Sequence, residues 1–273
     1  MKHIRYIIVC SLLLLCALPL SAHEHHEHEH APVEQRDTLL TVSQLWDMAN
    51  TAYTNGKYAE AMKLYEAMEQ RDMRGASLLY NKGNAYFKMG EIGEALLCYN
   101  RALKFDPSNK DIRYNIEVVR AHTTDNIDEI PEFILSAWSD AIRSSLSFRG
   151  WAIFSIIALT LTLASILLFM FSRGEARRRI GGYGAIVSAV VLLFSGIYTV
   201  SSFSELHGEP NNAIVMMQSV AVKSSPASNS TDLFILHEGT TVKVLSVIDN
   251  AWSEIKIADG KQGWVESKAL GFY

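Results

Sequence analysis

Residues 76–107 read ASLLYNKGNAYFKMGEIGEALLCYNRALKFDP, and their spacing decides the fold of the N-terminal half. Ala95, Tyr99 and Ala102 repeat Ala61, Tyr65 and Met68 at a distance of 34 residues. Leu79 and Tyr86 repeat Trp46 and Tyr53 at a distance of 33 residues. The one-residue slip falls in a short turn, Asn55-Gly56-Lys57 in one copy and Met89-Gly90-Glu91-Ile92 in the other. Gly83 and Ala95 are small, as a close crossing of two helices requires, and Tyr53, Tyr65, Tyr86 and Tyr99 fill the space beside it. Pro107 ends the second helix, because its ring cannot continue one and it biases Asp106 out of the α region. Asp111 to Arg120 then forms a third helix with Ile112, Ile116 and Val119 on one face. It is predicted to cap the open end of the array.

A period of this length with two helices per unit is that of the tetratricopeptide repeat. The second unit closely resembles that family: Leu79, Gly83, Tyr86, Ala95, Tyr99, Ala102 and Pro107 occupy its signature positions. The first unit resembles it through Trp46, Tyr53, Ala61 and Tyr65, with Asn50 where the family prefers Gly. Family members bind peptide in a groove formed by their first helices. The resemblance implies a groove lined by Asp47 and Thr51, then by Tyr80, Asn84, Phe87 and Lys88, with Asn81 beside it. Without the resemblance, the same residues read as a solvated helix face. The basic residues of members that clamp a C-terminal carboxylate are missing here.

Two apolar spans follow, 151–171 and 180–203, each long enough to cross roughly 30 Å of hydrocarbon as a helix. The loop 172–179 carries Arg173, Arg177, Arg178 and Arg179 against one acid, Glu175. Arginine-rich short loops stay on the cytoplasmic side, which places both outer ends of the hairpin outside. Neither span contains Asp, Glu, Lys, Arg or His, so the hairpin reads as an anchor rather than a transport path. Gly184, Ser188 and Gly196 share one helical face and suit close helix contact. Residues 1–22 agree with this topology: Lys2 and Arg5 precede an apolar run from Ile7 to Leu18 and a small residue, Ala22. They read as a secretory signal peptide, with an uncleaved anchor as the rival.

Between signal and repeats, residues 23–38 begin with a His/Glu-rich tail. His23, His25, His26, His28 and His30 alternate with carboxylates and suit Zn²⁺, Cu²⁺ or Ni²⁺. No fold pre-organises them, so a physiological metal role and adventitious binding by a solvated tail both remain open. The repeats and capping helix occupy 39–122. Residues 123–150 are a linker and an amphipathic helix with Leu135, Trp138, Ile142 and Leu146 in one stripe. It reads as an interfacial helix on the outer leaflet, or as a helix packed on the repeats. Of three cysteines, only Cys98 follows the signal, so no internal disulfide is expected. Its apolar setting predicts a buried thiol rather than a reactive one. The net charge of −4 gives no reason to expect nucleic acid binding.

From residue 211 to 273 the pattern changes to short alternating β segments punctuated by Glu238-Gly239, Asp249-Asn250 and Asp259-Gly260. Ser225-Pro226, Phe234-Ile235-Leu236, Val242-Lys243-Val244, Trp252, Ile255 and Gly263-Trp264-Val265 resemble the bacterial SH3 domain. That resemblance implies a small barrel that binds peptides or cell-wall components in some members and only packs on neighbours in others. Trp252 is expected in its core. Trp264 is read both as core and as a ligand platform.

The fold class is thus a multi-domain membrane protein: an all-α tetratricopeptide repeat domain, a two-helix transmembrane hairpin and a small all-β SH3-like barrel. This order resembles the Bat (aerotolerance) operon family in its BatE-type form, particularly through residues 232–239 and 259–265. The His/Glu tail is not part of that pattern. The resemblance implies a non-enzymatic scaffold in the bacterial inner membrane, with repeats and barrel in the periplasm, linked to oxidative or envelope stress. It implies as partners membrane proteins with von Willebrand A domains and an associated AAA ATPase. Two other readings are a targeting subunit of a cell-wall-modifying enzyme, with a cell-wall ligand, and a metal sensor built on the tail. No Ser/His/Asp, Cys/His or paired-carboxylate site can be assigned to a folded pocket, which favours the scaffold. Repeats and barrel are expected to act as two tethered sites through high effective concentration.

Overall fold

The computed structural model describes residues 40–127 and 134–273. The signal segment and the His/Glu tail lie outside the described residues. Residues 40–157 with 191–273 form one compact unit, and the inner part of the hairpin, residues 158–190, belongs to a second.

Five helices open the described residues: α1 (Val42–Thr54), α2 (Tyr58–Glu69), α3 (Ala76–Met89), α4 (Ile92–Phe105) and α5 (Lys110–Arg120). Local signals set their ends. Thr41 and Gln44 form a reciprocal capping box at the start of α1. Gly90, at φ +86°, ends α3 in the left-handed conformation. The Asn109 side chain accepts hydrogen bonds from the Asp111 and Ile112 amides at the start of α5.

The first helices α1, α3 and α5 begin at residues 42, 76 and 110, and α2 and α4 at 58 and 92, so every step is 34 residues. The expected 33-residue slip is absent. Leu45, not Trp46, stands where Leu79 stands, and Ala49, not Asn50, stands where Gly83 stands; all four of Leu45, Ala49, Leu79 and Gly83 are buried. Burial sets the register, and Trp46 is the larger but more exposed side chain. Asn50 is therefore the counterpart of Asn84. Gly83 is small for the reason anticipated: a Cβ there would lie 2.6 Å from the Tyr99 ring.

The corrected register uncovers a polar ladder. Asn50 Oδ1 accepts from the Tyr65 hydroxyl at 3.1 Å and from Asn81 Nδ2 at 3.3 Å. One period later, Asn84 Oδ1 accepts from the Tyr99 hydroxyl at 2.7 Å and from Asn115 Nδ2 at 3.0 Å. Each asparagine thus ties its own second helix to the next first helix. Lys82 adds a further tie between units, with Nζ 2.7 Å from Glu69 Oε2.

Seven antiparallel strands close the chain: β1 (Asn212–Val215), β2 (Ser219–Lys223), β3 (Asp232–His237), β4 (Thr241–Ile248), β5 (Trp252–Lys256), β6 (Gln262–Glu266) and β7 (Leu270–Phe272). Their order is β3-β2-β6-β5-β4-β1-β7. Val215, Val222, Leu236, Val242, Ile255 and Val265 fill the barrel interior. Strand β1 is buried on both faces. Ala213 and Val215 point into the barrel, while Ile214 joins Leu96, Ile112, Ile116 and Val119 in the core of the repeats, with Met216 and Tyr273 packed beside them. The capping role expected of α5 is therefore shared. Its apolar stripe is covered by the barrel, which takes the place of a second helix to the third unit.

Hydrogen bonds fix the docking. Glu238 Oε1 accepts from the Gly93 amide at 2.8 Å, in the first turn of α4, where a carboxylate is favoured. Arg101 donates to the Phe272 carbonyl at 2.8 Å. Asp125 accepts from the His237 amide, from His237 Nδ1 and from the Thr240 hydroxyl at 2.8, 2.6 and 2.6 Å. Gly239 (φ +86°) lies so close that a Cβ would meet Thr123 at 2.5 Å. Repeats and barrel are one docked body, not two independently tethered sites.

Helix α6 (Ile134–Arg143) leaves Ile134, Leu135, Trp138 and Ile142 exposed, Trp138 by 66%, so its apolar stripe is not packed on the repeats. Arg143 pairs with Asp140 and with Glu205. Helices α7 (Phe148–Phe171) and α8 (Glu175–His207) are long and apolar enough to cross a bilayer. Near their outer ends, Trp151 stacks on Tyr198 with ring centroids 4.9 Å apart, and Ser155 and Thr199 share a hydrogen bond of 3.0 Å. Within the inner part, α8 approaches α7 at Gly181, where a Cβ would lie 2.5 Å from the Phe169 nitrogen, and at Gly184 beside Ser165. Gly196 faces open space and takes no part, so the small-residue contact is made by Gly181 and Gly184.

Two outcomes follow from these contacts. Asn84→Ala removes the acceptor of both Tyr99 and Asn115 and is expected to cost about 1–3 kcal/mol. Thr51→Ala, on an exposed position, should cost less than about 0.5 kcal/mol. Urea unfolding of the full-length protein in mild detergent, followed by helix circular dichroism, checks both; equal stability of the two variants contradicts the ladder. The second outcome concerns acid. Burial alone would raise the Asp125 carboxyl, but hydrogen bonds from Thr240 and His237 outweigh it and hold the carboxyl below its usual range. A depressed carboxyl contributes stability above its unfolded value, about 3.9, and loses it as pH falls through the folded value. Repeats and barrel should melt in one thermal transition, whose midpoint holds from pH 8 to 5 and falls below about pH 4 as Asp125 is protonated. Asp125→Ala should lower the midpoint of that transition at pH 7 and remove its fall below about pH 4; an unchanged midpoint in that variant counts against the clasp.

Candidate interaction surfaces

Three side chains on the first helices share the 34-residue step: Trp46 on α1, Tyr80 on α3 and Tyr114 on α5. Trp46 and Tyr80 are half-buried against Tyr65 and Tyr99, with ring centroids 6.3 and 5.9 Å apart, and Tyr114 is 65% exposed. A second row runs beside them. Tyr53 on α1 corresponds to Phe87 on α3, and Phe87 meets His122 edge-on at 5.3 Å. Between the rows lie the asparagines of the ladder, whose oxygens are already occupied.

The residues expected to line a groove divide accordingly. Tyr80, Asn81, Asn84, Phe87 and Lys88 all lie on α3. Asn81 commits its Nδ2 to Asn50, and Asn84 commits its Oδ1 to Tyr99 and Asn115. Tyr80 also takes a hydrogen bond from Asn115, at 3.2 Å. Lys88 is exposed, and Phe87 is half-buried against the repeat core with its outer edge on this surface. Asp47 is exposed and corresponds to Asn81. Thr51 is off this surface. Its counterpart is Ala85, which packs back on the first unit, whereas α1 has no described unit before it. Thr51 instead donates to the Asp47 carbonyl of its own helix at 2.8 Å. Trp46, Tyr53 and Tyr114 are the residues that the slipped register missed. Their spacing from Tyr80 and Phe87 was the available signal.

The barrel presents a second aromatic surface. Along β6, Gly263 and Val265 face inward, so Trp264 faces out. It stands opposite Glu254 on β5 and Lys223 on β2. Along β5, Ser253 and Ile255 face inward, which puts Trp252 on the outer face as well, opposite Glu266 and Ile248. The expectation of Trp252 in the core is corrected: strand alternation, not size, decides its side. Trp264 is likewise outside the core.

Cys98 is buried, and burial pushes its thiol up to about 12, far from a thiolate at neutral pH. Among the described residues no group of three His, Cys, Asp or Glu side chains is placed to hold a metal. The five tail histidines lie outside them.

Residues 76–109 match the tetratricopeptide repeat family. Residues 218–271 match the bacterial SH3 domain family. No curated protein matches the chain. Both matches coincide with the architecture: the first covers α3, α4 and the turn into α5, and the second covers the barrel from β2 to β7. Domains of these two kinds point to binding of protein or cell-wall partners.

Proposed function

We propose that this protein is a non-enzymatic, membrane-anchored scaffold that recruits a partner protein through the first-helix surface of its repeats. The observation that carries the reading is the pair of aromatic rows, Trp46-Tyr80-Tyr114 and Tyr53-Phe87, flanking Asn50 and Asn84, whose carbonyl oxygens are already used within the fold. Such a surface offers mainly rings, so it suits an extended peptide with apolar side chains. The arginines of the hairpin tip support a cytoplasmic tip, with repeats and barrel on the extracytoplasmic face of a bacterial inner membrane. Within the resemblance to the aerotolerance family, the partner is a membrane protein with a von Willebrand A domain, working with an AAA ATPase in an envelope-stress assembly. A second reading is favoured by Trp252 and Trp264 on one outer sheet face: a barrel that docks cell-wall polymer for an enzyme held elsewhere.

Phe87→Ala combined with Lys88→Glu should lower partner capture by crosslinking in intact membranes at least about tenfold. Helical content and membrane level should stay unchanged. Trp264→Ala should leave capture intact; loss of polymer binding in that variant, with normal capture by the repeat variant, transfers the function to the barrel. For topology, reporters fused after Arg120 and after Tyr273 should be active only outside the cytoplasm, and one at Arg177 only inside. A cytoplasmic signal after Tyr273 ends the extracytoplasmic reading.

A further inference from the structure

Within the inner part of the hairpin, α7 and α8 enclose a cleft of about 660 Å³. Its floor is apolar, made by Ile166, Phe169, Gly182 and Ile186, and its rim carries Arg178 and Arg179 with Glu175. The close approach at Gly181 joins the helices, while neighbouring Gly182, having no side chain, leaves the adjoining face hollow over the Phe169 ring. The Arg178 guanidinium lies 5.0 Å from the centroid of that ring, so the charge is held above the apolar floor. Arg173 and Arg177 stand nearby in sequence. Among the described residues only Arg179 of these four has a carboxylate partner, Glu175 at 3.6 Å, and both are highly exposed. Positive charge is therefore left over at the mouth of an apolar slot. A topology signal needs the arginines but not the slot.

We propose that this cleft binds an anionic glycerophospholipid, with an acyl chain along Ile166, Phe169, Gly182 and Ile186 and the phosphate held by Arg178 and Arg179. Guanidinium groups bind phosphate oxygens in a bidentate fork. Basic pockets between spans on the cytoplasmic side select anionic headgroups over zwitterionic ones, because the latter bring an ammonium to the same arginines. The lipid would fix the tip of the hairpin in the inner leaflet. The inference rests on the membrane-spanning reading of α7 and α8.

The test uses the full-length protein in mild detergent and counts retained lipids by native mass spectrometry. Phosphatidylglycerol and phosphatidylcholine are supplied at equal concentration. Phosphatidylglycerol should be retained about tenfold over phosphatidylcholine. Arg178→Gln with Arg179→Gln should bring the two to parity. Gly182→Leu, which fills the slot and keeps the charges, should also remove the preference. Arg149→Gln, outside the cleft, should not. Glycerol phosphate at the same concentration should not displace the lipid; displacement would mean a headgroup site without a chain site and would overturn the proposal. Parity in the wild-type protein overturns it without needing any variant, as does a preference surviving in both cleft variants. Release of the protein from membranes by alkaline carbonate would instead sink the membrane-spanning reading itself.

Discussion

Helix α4 is apolar on more sides than one repeat can cover. Ala95, Leu96, Leu97, Cys98, Tyr99 and Ala102 are all buried, although a helix on the surface of a small domain needs only one apolar stripe. One side receives α3, with Gly83 against Tyr99. Another faces α5. The remainder is met by β1 and β7 of the barrel, through Ile214, Gly271 and Tyr273. Without the barrel, Leu96, Leu97 and the stripe of α5 would face water, at a cost of about 25 cal/mol for each Å² of apolar surface. Barrel and repeats are thus held by hydrophobic burial first. The hydrogen bonds of Glu238 and Asp125 give that contact its register.

The polar ladder divides labour with this core. Asn50 and Asn84 each accept two hydrogen bonds, and each links three helices. Their placement on the first helices uses up the acceptor oxygens that lie between the aromatic rows. The recognition proposed for that surface falls to rings. Trp, Tyr and Phe supply contact area with few rotatable bonds, so ordering them on binding costs little entropy. The same spacing that stacks the repeats also sets the rings in rows, so the aromatic rows are a consequence of the fold's period.

Docking changes what the chain offers a partner. Two modules on flexible tethers would add affinity only through effective concentration. A docked pair presents fixed surfaces, the aromatic rows on one element and the outward tryptophans on the other. The hairpin contributes little chemistry within its apolar length. Charged groups gather at its ends, Glu205 paired with Arg143 of α6 at one and the arginines at the other.

Much of this was legible in the sequence. The small residues at Gly83 and Ala95, the proline at 107 and the alternation at Val242-Lys243-Val244 name their elements, because helix and strand periods act locally. The slip between units was misread because Trp46 is a conspicuous residue beside the buried Leu45. Size suggests a signature position, but only packing assigns one. The row Trp46-Tyr80-Tyr114 was present in the spacing and was hidden by that slip. The side of Trp252 depended on strand register, which a single side chain does not reveal. The docking of the barrel was not legible at all, since Ile214 and Leu96 are 118 residues apart and each looks like an ordinary core residue of its own domain. The sequence by itself determined which elements form, because propensity and periodicity are local. Tertiary structure decided which faces were left open, because burial is shared between elements and is settled only when they meet.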